Sequence, residues 1–363
     1  MAQSSRRTKS CFRDRDYFMD KEGMFFCVIG NTHPPDRVIS YLKYVPERIS
    51  EKTKWKKGKT GYNRILPYYS TVGVLSTQEY LSEKKPEYLY KDPFMNILIT
   101  AVPVEDIEVH FLPEERVKQM FSQENLDPLE EEAVDLISIL SKECKVPING
   151  FGLTGSLLIG IHNPSFSDID LIVYGKENSM KLFDQLPQLY ESYEELEPLS
   201  RELFKRRVKD VARIYFLEPK IAARLCRKKK NRGLFRRRQF SIHPVKTEAE
   251  VKERYGLKKY ESLGMITITG IVDNCEDSIF MPSEYSIREA KTIDGKLKPE
   301  IKEVVSYEGL YSGIAEEGDE IVARGKLESV KNVEDGSTFF RVLVGSFEAK
   351  GRDFILPKSW LRG

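Results

Sequence analysis

The spacing of hydrophobic residues changes twice along the chain and divides it into three stretches. From about Asp16 to Phe111, short apolar runs at Met24–Ile29, Val72–Leu75 and Ile97–Val102 alternate with Pro, Gly and Asn clusters. That alternation predicts a mixed, strand-rich domain over 16–111. A helical spacing then takes over. Pro113-Glu114-Glu115 has the composition of a first helical turn. Leu129, Ala133, Leu136, Ile137 and Leu140 form one stripe, with Glu130–Glu132 on the other face. Pro147 and Gly150 break that pattern, and an apolar strand follows Asp170 and ends at Val173-Tyr174-Gly175. Further helices are expected near Ser179–Tyr190 and Glu195–Val211, and a short strand at Phe240–Val245, closing a second domain at 112–260. From Gly264 the runs Ile266–Thr269, Ile321–Leu327 and Phe339–Leu343 are β-branched or aromatic and separated by turn residues. Short strands without a long helical pattern predict a small closed barrel over 264–360, with an OB-like barrel as one option. The fold class expected is therefore α+β.

Composition narrows the class. With 363 residues the chain is too long for one compact core, and 40% hydrophobic with 31% charged residues fits a folded, soluble protein. No apolar run is long enough to cross a bilayer, so no membrane partner is expected. The N-terminal MAQSSRRTKS lacks an apolar stretch behind its basic residues, which reads as a frayed tail and not a secretory signal. Five dispersed cysteines, Cys11, Cys27, Cys144, Cys226 and Cys275, form no CxxC pair. They argue against a disulfide framework or zinc knuckle and suit a reducing cytoplasm. The formal net charge of +2 says little about nucleic acid; local charge says more.

The chemistry concentrates between Gly152 and Gly175. On a strand, Asp168 and Asp170 share a face while Ile169, Leu171 and Val173 point into a core. Two carboxylates so placed repel each other and call for cations between them. Hard oxygen ligands in this pattern suit Mg²⁺ (or Mn²⁺) shared with a phosphate chain. Upstream, Thr154, Gly155 and Ser156 stand where a loop enters a short helix, Ser156 to about Ile161. The helix start offers backbone N–H groups and the Ser156 hydroxyl to an anion, and Gly155 allows close approach. An anion cradle ahead of a carboxylate pair is what a metal-bound NTP requires. Asp168-Ile169-Asp170 also reads, more plainly, as an ordinary strand-entry turn.

Gly155-Ser156, eleven intervening residues and Asp168-Ile169-Asp170 on an apolar strand resemble the signature of the polymerase-β nucleotidyltransferase superfamily. The whole chain is similar to an uncharacterised group of predicted archaeal nucleotidyltransferases. His33–Arg37, Tyr41–Pro46, Gly318–Glu320 and Gly325–Glu328 carry that narrower likeness. The resemblance implies a mixed-sheet catalytic core, a divalent metal at Asp168 and Asp170, and NTP as substrate. It also implies a third carboxylate on a neighbouring strand. Here that strand is Phe240–Val245, where Ser241 and His243 should face the site and no acid is present. His243 can ligate a metal or act as base, or it can be a structural histidine capping the strand before Pro244. Asp210 on the preceding helix is a weaker substitute for the acid.

Two basic stretches remain. Between Arg224 and Arg238, nine of fifteen residues are Lys or Arg, including Lys228, Lys229, Lys230, Arg232, Arg236, Arg237 and Arg238. Such a run suits a phosphate backbone, which makes RNA the expected acceptor and partner; a solvated loop explains the same composition. Lys52–Lys59, carrying Trp55, reads as an exposed loop or hairpin tip. The functional expectations are transfer of an NMP to RNA, nucleotide or RNA binding without catalysis because the third acid is lost, or transfer to a protein or small molecule.

Overall fold

The computed structural model describes residues 12–361, so the expected N-terminal tail and Cys11 lie outside the described residues. Among the described residues the chain packs into two units, each assembled from separated segments. The first comprises residues 12–65, 102–203 and 230–252; the second comprises 66–101, 204–229 and 253–361. This division cuts across the consecutive boundaries expected at 16–111, 112–260 and 264–360.

The chain begins with β1 (Tyr17–Asp20), β2 (Phe25–Val28), β3 (Arg37–Glu47), β4 (Trp55–Lys57) and β5 (Thr60–Arg64). Next come α1 (Thr71–Lys84), β6 (Leu89–Lys91), β7 (Leu98–Pro103), β8 (Ile107–Phe111), α2 (Pro113–Ser122) and α3 (Pro128–Cys144). The central stretch holds β9 (Phe151–Leu153), α4 (Gly155–Ile159), β10 (Ile169–Tyr174), α5 (Lys176–Ser192), β11 (Leu196–Glu197) and α6 (Arg201–Ile214). After it come α7 (Pro219–Lys228), β12 (Arg232–Phe235) and β13 (Arg238–Val245). The remainder is β14 (Lys258–Asn274), β15 (Ser283–Asp294), β16 (Ile301–Ser306), β17 (Glu320–Asn332), β18 (Thr338–Val344) and β19 (Phe354–Pro357).

In the first unit, β4, β5, β3, β2, β1 and β8 lie side by side in that order. A second sheet runs β11-β12-β13-β10-β9, in which β10 and β13 are parallel and the other pairs antiparallel. A strand in parallel pairing is normally covered on both faces. β10 obeys this: Ile169, Leu171 and Val173 face one core and Ile172 and Tyr174 another. The first core is supplied by α2, α3 and α5, and the stripe from Leu129 to Leu140 is wholly buried in it. Asp127 caps α3 in a capping box with Glu130, ahead of Pro128. In the second unit the order β14-β15-β16-β18-β17 returns to β14, so the sheet closes on itself. Its interior is filled by Ile268, Val272, Tyr285, Val304, Ile321, Ala323 and Val342 among others, with α7 packed on the same core.

Two local expectations change. Val72–Leu75 belongs to α1, capped by Ser70, whose hydroxyl accepts from the Gly73 amide at 3.2 Å. The buried face of α1 includes Thr77 and Gln78, which hides the helical period. The helix expected from Glu195 starts only at Arg201, because Pro198 interrupts it and β11 precedes it.

Candidate active site

α4 is the element that positions the proposed phosphate cradle, and both of its ends are fixed. Thr154 stands at its N-cap position, but its hydroxyl donates to the backbone carbonyl of Arg15 at 3.0 Å. The Thr154 amide donates to the Asp170 carbonyl at 2.9 Å, which ties the helix start to β10. Gly155 has φ +68°, and a Cβ there would come within 2.8 Å of Asp170 Oδ2. Conformation and space both require glycine at this point. At the other end, Arg116 Nε donates to the Leu157 carbonyl at 3.1 Å and Lys57 Nζ to the Ile159 carbonyl at 2.8 Å. Two cations therefore satisfy carbonyls that a five-residue helix leaves open. Leu158, Ile159 and Ile161 pack against Tyr17, Phe25, Cys27, Tyr44 and Tyr62 of the N-terminal sheet.

The loop into β10 is pinned as firmly. His162 Nε2 lies 2.7 Å from Asp127 Oδ2. Arg238 donates to the carbonyls of Ser167 and Pro164, both at 2.9 Å, while pairing with Glu132. Asp168 then emerges exposed, and Asp170 sits half-buried one strand repeat further on.

Ser241 is paired in register with Asp170, and its hydroxyl donates to Asp170 Oδ1. The same hydroxyl lies 2.8 Å from His243 Nε2, whereas His243 Nε2 is 3.8 Å from the carboxylate. The hydroxyl thus bridges acid and imidazole. Since it donates to Asp170, it accepts from a protonated Nε2. Phe240 and Ile242 are in the core, as strand alternation requires. Asp168 is pushed from the ordinary 3.8 up to about 6, first by the charge of Asp170 and then by burial. Burial also acts to raise Asp170, but His243, the Lys43 ammonium and the Ser241 hydroxyl outweigh it and hold that carboxyl below the usual range. His243 is held down to about 3 by burial and by the charge of Arg15. It is neutral at physiological pH. Asp168 and Asp170 thus present a like-charged pair whose mutual repulsion raises Asp168, a set of carboxylate oxygens that fits a hard divalent cation.

A family model described as a nucleotidyltransferase domain matches residues 135–240, which takes in α4, β10 and the carboxylate pair. An uncharacterized protein of Methanocaldococcus jannaschii is 33% identical over 355 residues, covering 95% of this chain and 99% of that protein. The chain belongs to that protein's family. It carries a nucleotidyltransferase domain, whose general activity is transfer of a nucleoside monophosphate. No solved structure matches the chain. The matched region stops at Phe240, one residue before Ser241.

The structure brings together Thr154, Gly155, Ser156, Asp168, Asp170 and His243 of the expected residues. It disperses the basic run. Arg224–Lys229 falls in the second unit and Lys230–Arg238 in the first. Lys228 pairs with Glu316 at 2.7 Å, Lys229 donates to the Ser312 carbonyl, and Arg236 pairs with Asp135 and Glu195. Arg237 is exposed at the turn between β12 and β13, and Lys230 precedes β12. Arg232 is placed so that its charge lowers Asp168. Asp210 lies in the second unit, 3.5 Å from Arg213.

Arg15 and Lys43 were not among the expected site residues. Lys43 is buried on β3, its Nζ 2.5 Å from the Tyr17 hydroxyl and 5.1 Å from that ring's centroid. The available signal was a lysine inside the apolar run Tyr41–Pro46. Among the described residues the one group of three metal-type side chains is Asp127, Glu130 and His162. Helix capping, the Arg116–Glu130 pair and the His162–Asp127 contact account for it.

Proposed function

We propose that this protein is a Mg²⁺- or Mn²⁺-dependent nucleotidyltransferase that moves an NMP from an NTP to RNA. The observation that carries the reading is the like-charged pair Asp168/Asp170, its repulsion visible in the raised Asp168, beside the Gly155–Ser156 turn and inside the region matched by the family model. Asp168 and Asp170 would hold the cation, which would neutralise triphosphate charge and acidify the acceptor hydroxyl. Gly155 and Ser156 hold phosphate oxygens. Arg15, Lys43 and Arg232 add positive charge where pyrophosphate develops. The acceptor oxygen forms its bond to the α-phosphorus, the bond to the β-phosphate oxygen breaks, and the hydroxyl proton passes to water. His243 is not placed to take that proton, because its Nε2 is engaged with the Ser241 hydroxyl at 2.8 Å. Its role is to hold Ser241, and through it Asp170, in place of the missing acid.

In this reading the closed sheet of the second unit is an OB-like barrel, supported by its five-strand closure, and contributes RNA contacts. Pure protein is incubated with each labelled NTP, Mg²⁺ or Mn²⁺ and total RNA. Label in RNA supports the proposal, label in protein or a small molecule redirects the acceptor, and bound but untransferred nucleotide favours a binding protein.

A further inference from the structure

The hairpin β4–β5 stands at the edge of the N-terminal sheet, where β4 is the last strand. Lys52, Lys54, Lys56 and Lys59 are exposed along it, and among the described residues none of the four pairs with a carboxylate. Lys57 behaves differently, because its ammonium is spent on the Ile159 carbonyl of α4. Trp55 shares the face of Lys57 and is half-buried, edge-on to Tyr44 at 5.4 Å and to Phe166 at 6.0 Å. Phe166 is 49% exposed and stands two residues before Asp168, in the loop that Arg238 pins. The cationic hairpin therefore adjoins, through Trp55, the loop that carries the exposed Phe166 and delivers the carboxylate pair.

We infer that this hairpin, together with Phe166, is the surface on which a single-stranded polynucleotide acceptor lies. The inference rests on the nucleotidyltransferase reading. Phosphates would be met by Lys52, Lys54, Lys56 and Lys59, and a base would stack on the exposed ring of Phe166, which stands at 79° to the ring of Trp55. Non-specific single-strand binding commonly combines these two elements, a cationic track and aromatic faces. The run Arg224–Arg238 is less suited to this, since Lys228, Arg236 and Arg238 are already neutralised by carboxylates. Phe166 also ties the surface to the reaction. A base resting on that ring would lie on the loop that leads directly into Asp168.

Lysines on an edge strand have another use, which is to prevent edge-to-edge pairing with a second chain. That role predicts aggregation on their removal, with no change in nucleic-acid affinity.

The test uses the full chain and a labelled single-stranded oligouridylate, titrated at several salt concentrations. The lysine variant carries Lys52→Gln, Lys54→Gln, Lys56→Gln and Lys59→Gln together. It should flatten the log–log salt slope by roughly 3, at about 0.7 per lost phosphate contact. Phe166→Ala should weaken binding about tenfold without altering the slope, because stacking involves no counterion release. Phe166 is exposed, so this variant tests the surface even if the lysine variant folds poorly. In a Trp360→Phe background Trp55 is the remaining tryptophan of the two, and the oligomer should quench its emission. Unchanged slope and affinity in both variants would overturn the inference, whether or not the lysine variant aggregates. Polyglutamate binding as tightly as the oligomer would overturn it in favour of an acidic protein partner. Calorimetry with Mg²⁺ and NTP on the same samples separates the two claims. Oligomer binding lost in the variants with NTP binding intact supports both. Wild-type protein that binds NTP, with oligomer binding unaffected by the variants, defeats the surface alone. Wild-type protein that binds the oligomer but no NTP defeats the nucleotidyltransferase reading and leaves only a nucleic-acid surface.

Discussion

Asp168 is where the electrostatics of single residues become measurable. Its folded-state pKa of about 6 stands above the ordinary 3.8, so the folded protein holds that proton more tightly than the unfolded chain. The contribution of Asp168 to stability without metal is therefore most favourable below about pH 4 and falls as pH rises from there to about 6, whereas Asp170, held below its usual range, contributes stability that is lost toward acid pH. Asp168→Asn removes the charge. It should raise the melting temperature at pH 7 in chelator-treated buffer, give no gain at pH 4, and lose its advantage when Mg²⁺ is added. A gain of equal size at both pH values would assign the effect to something other than ionisation. His243 makes a different prediction. As a residue that holds Ser241 against Asp170, its replacement by Ala should weaken Mg²⁺ binding about tenfold, the lower end for a group that orients a ligand. The pH–rate profile should keep its shape. Loss of one limb of that profile would instead make His243 the base. Asp168, Asp170, Gly155 and Ser156 were legible because a carboxylate pair on an apolar strand and a glycine before a short helix each have a physical reason. Strand alternation placed Ser241 on the site face, but its bridging of Asp170 and His243 was not legible, since facing a site does not say which partners a hydroxyl finds.

α4 shows how an element too short to be stable alone is made rigid. Isolated helices of this length do not persist, so α4 depends on its apolar contacts and on Arg116 and Lys57 at its C-terminal carbonyls. Lys57→Met should cost about 1 kcal/mol, the scale of a cation at a helix C-terminus. It should also raise KM for NTP more than it lowers kcat, because the Gly155–Ser156 turn loses its support. Denaturant unfolding and initial rates check both, and wild-type values in each would show that the packing alone suffices. Lys57 sits in a stretch that the sequence presents as a solvated hairpin; that it reaches across 102 residues to Ile159 is invisible to local patterning. α3 was legible because its five-residue apolar stripe is uninterrupted and entirely buried. α1 was not, because it buries Thr77 and Gln78.

At the scale of the molecule, what the chain order conceals is that each unit is built from three segments. The N-terminal strands share a unit with β10 and β13, which is why Arg15 and Lys43 bear on Asp168 and Asp170 although more than a hundred residues separate them. Periodicity reports local structure, and the assembly of distant segments is a matter of tertiary packing. The closed sheet of the second unit was foreseeable from its regular turns, but not the pairing of β14 with β17 that closes it. Everything proposed for this site depends on the carboxylate pair binding a metal-bound triphosphate. Calorimetric titration of NTP in Mg²⁺ and in chelator, on wild type and on Asp168→Asn/Asp170→Asn, tests it most directly. Wild type should bind NTP in a Mg²⁺-dependent way, and the variant should lose both that dependence and most of the affinity. Equal Mg²⁺-dependent affinity in the two proteins would contradict it.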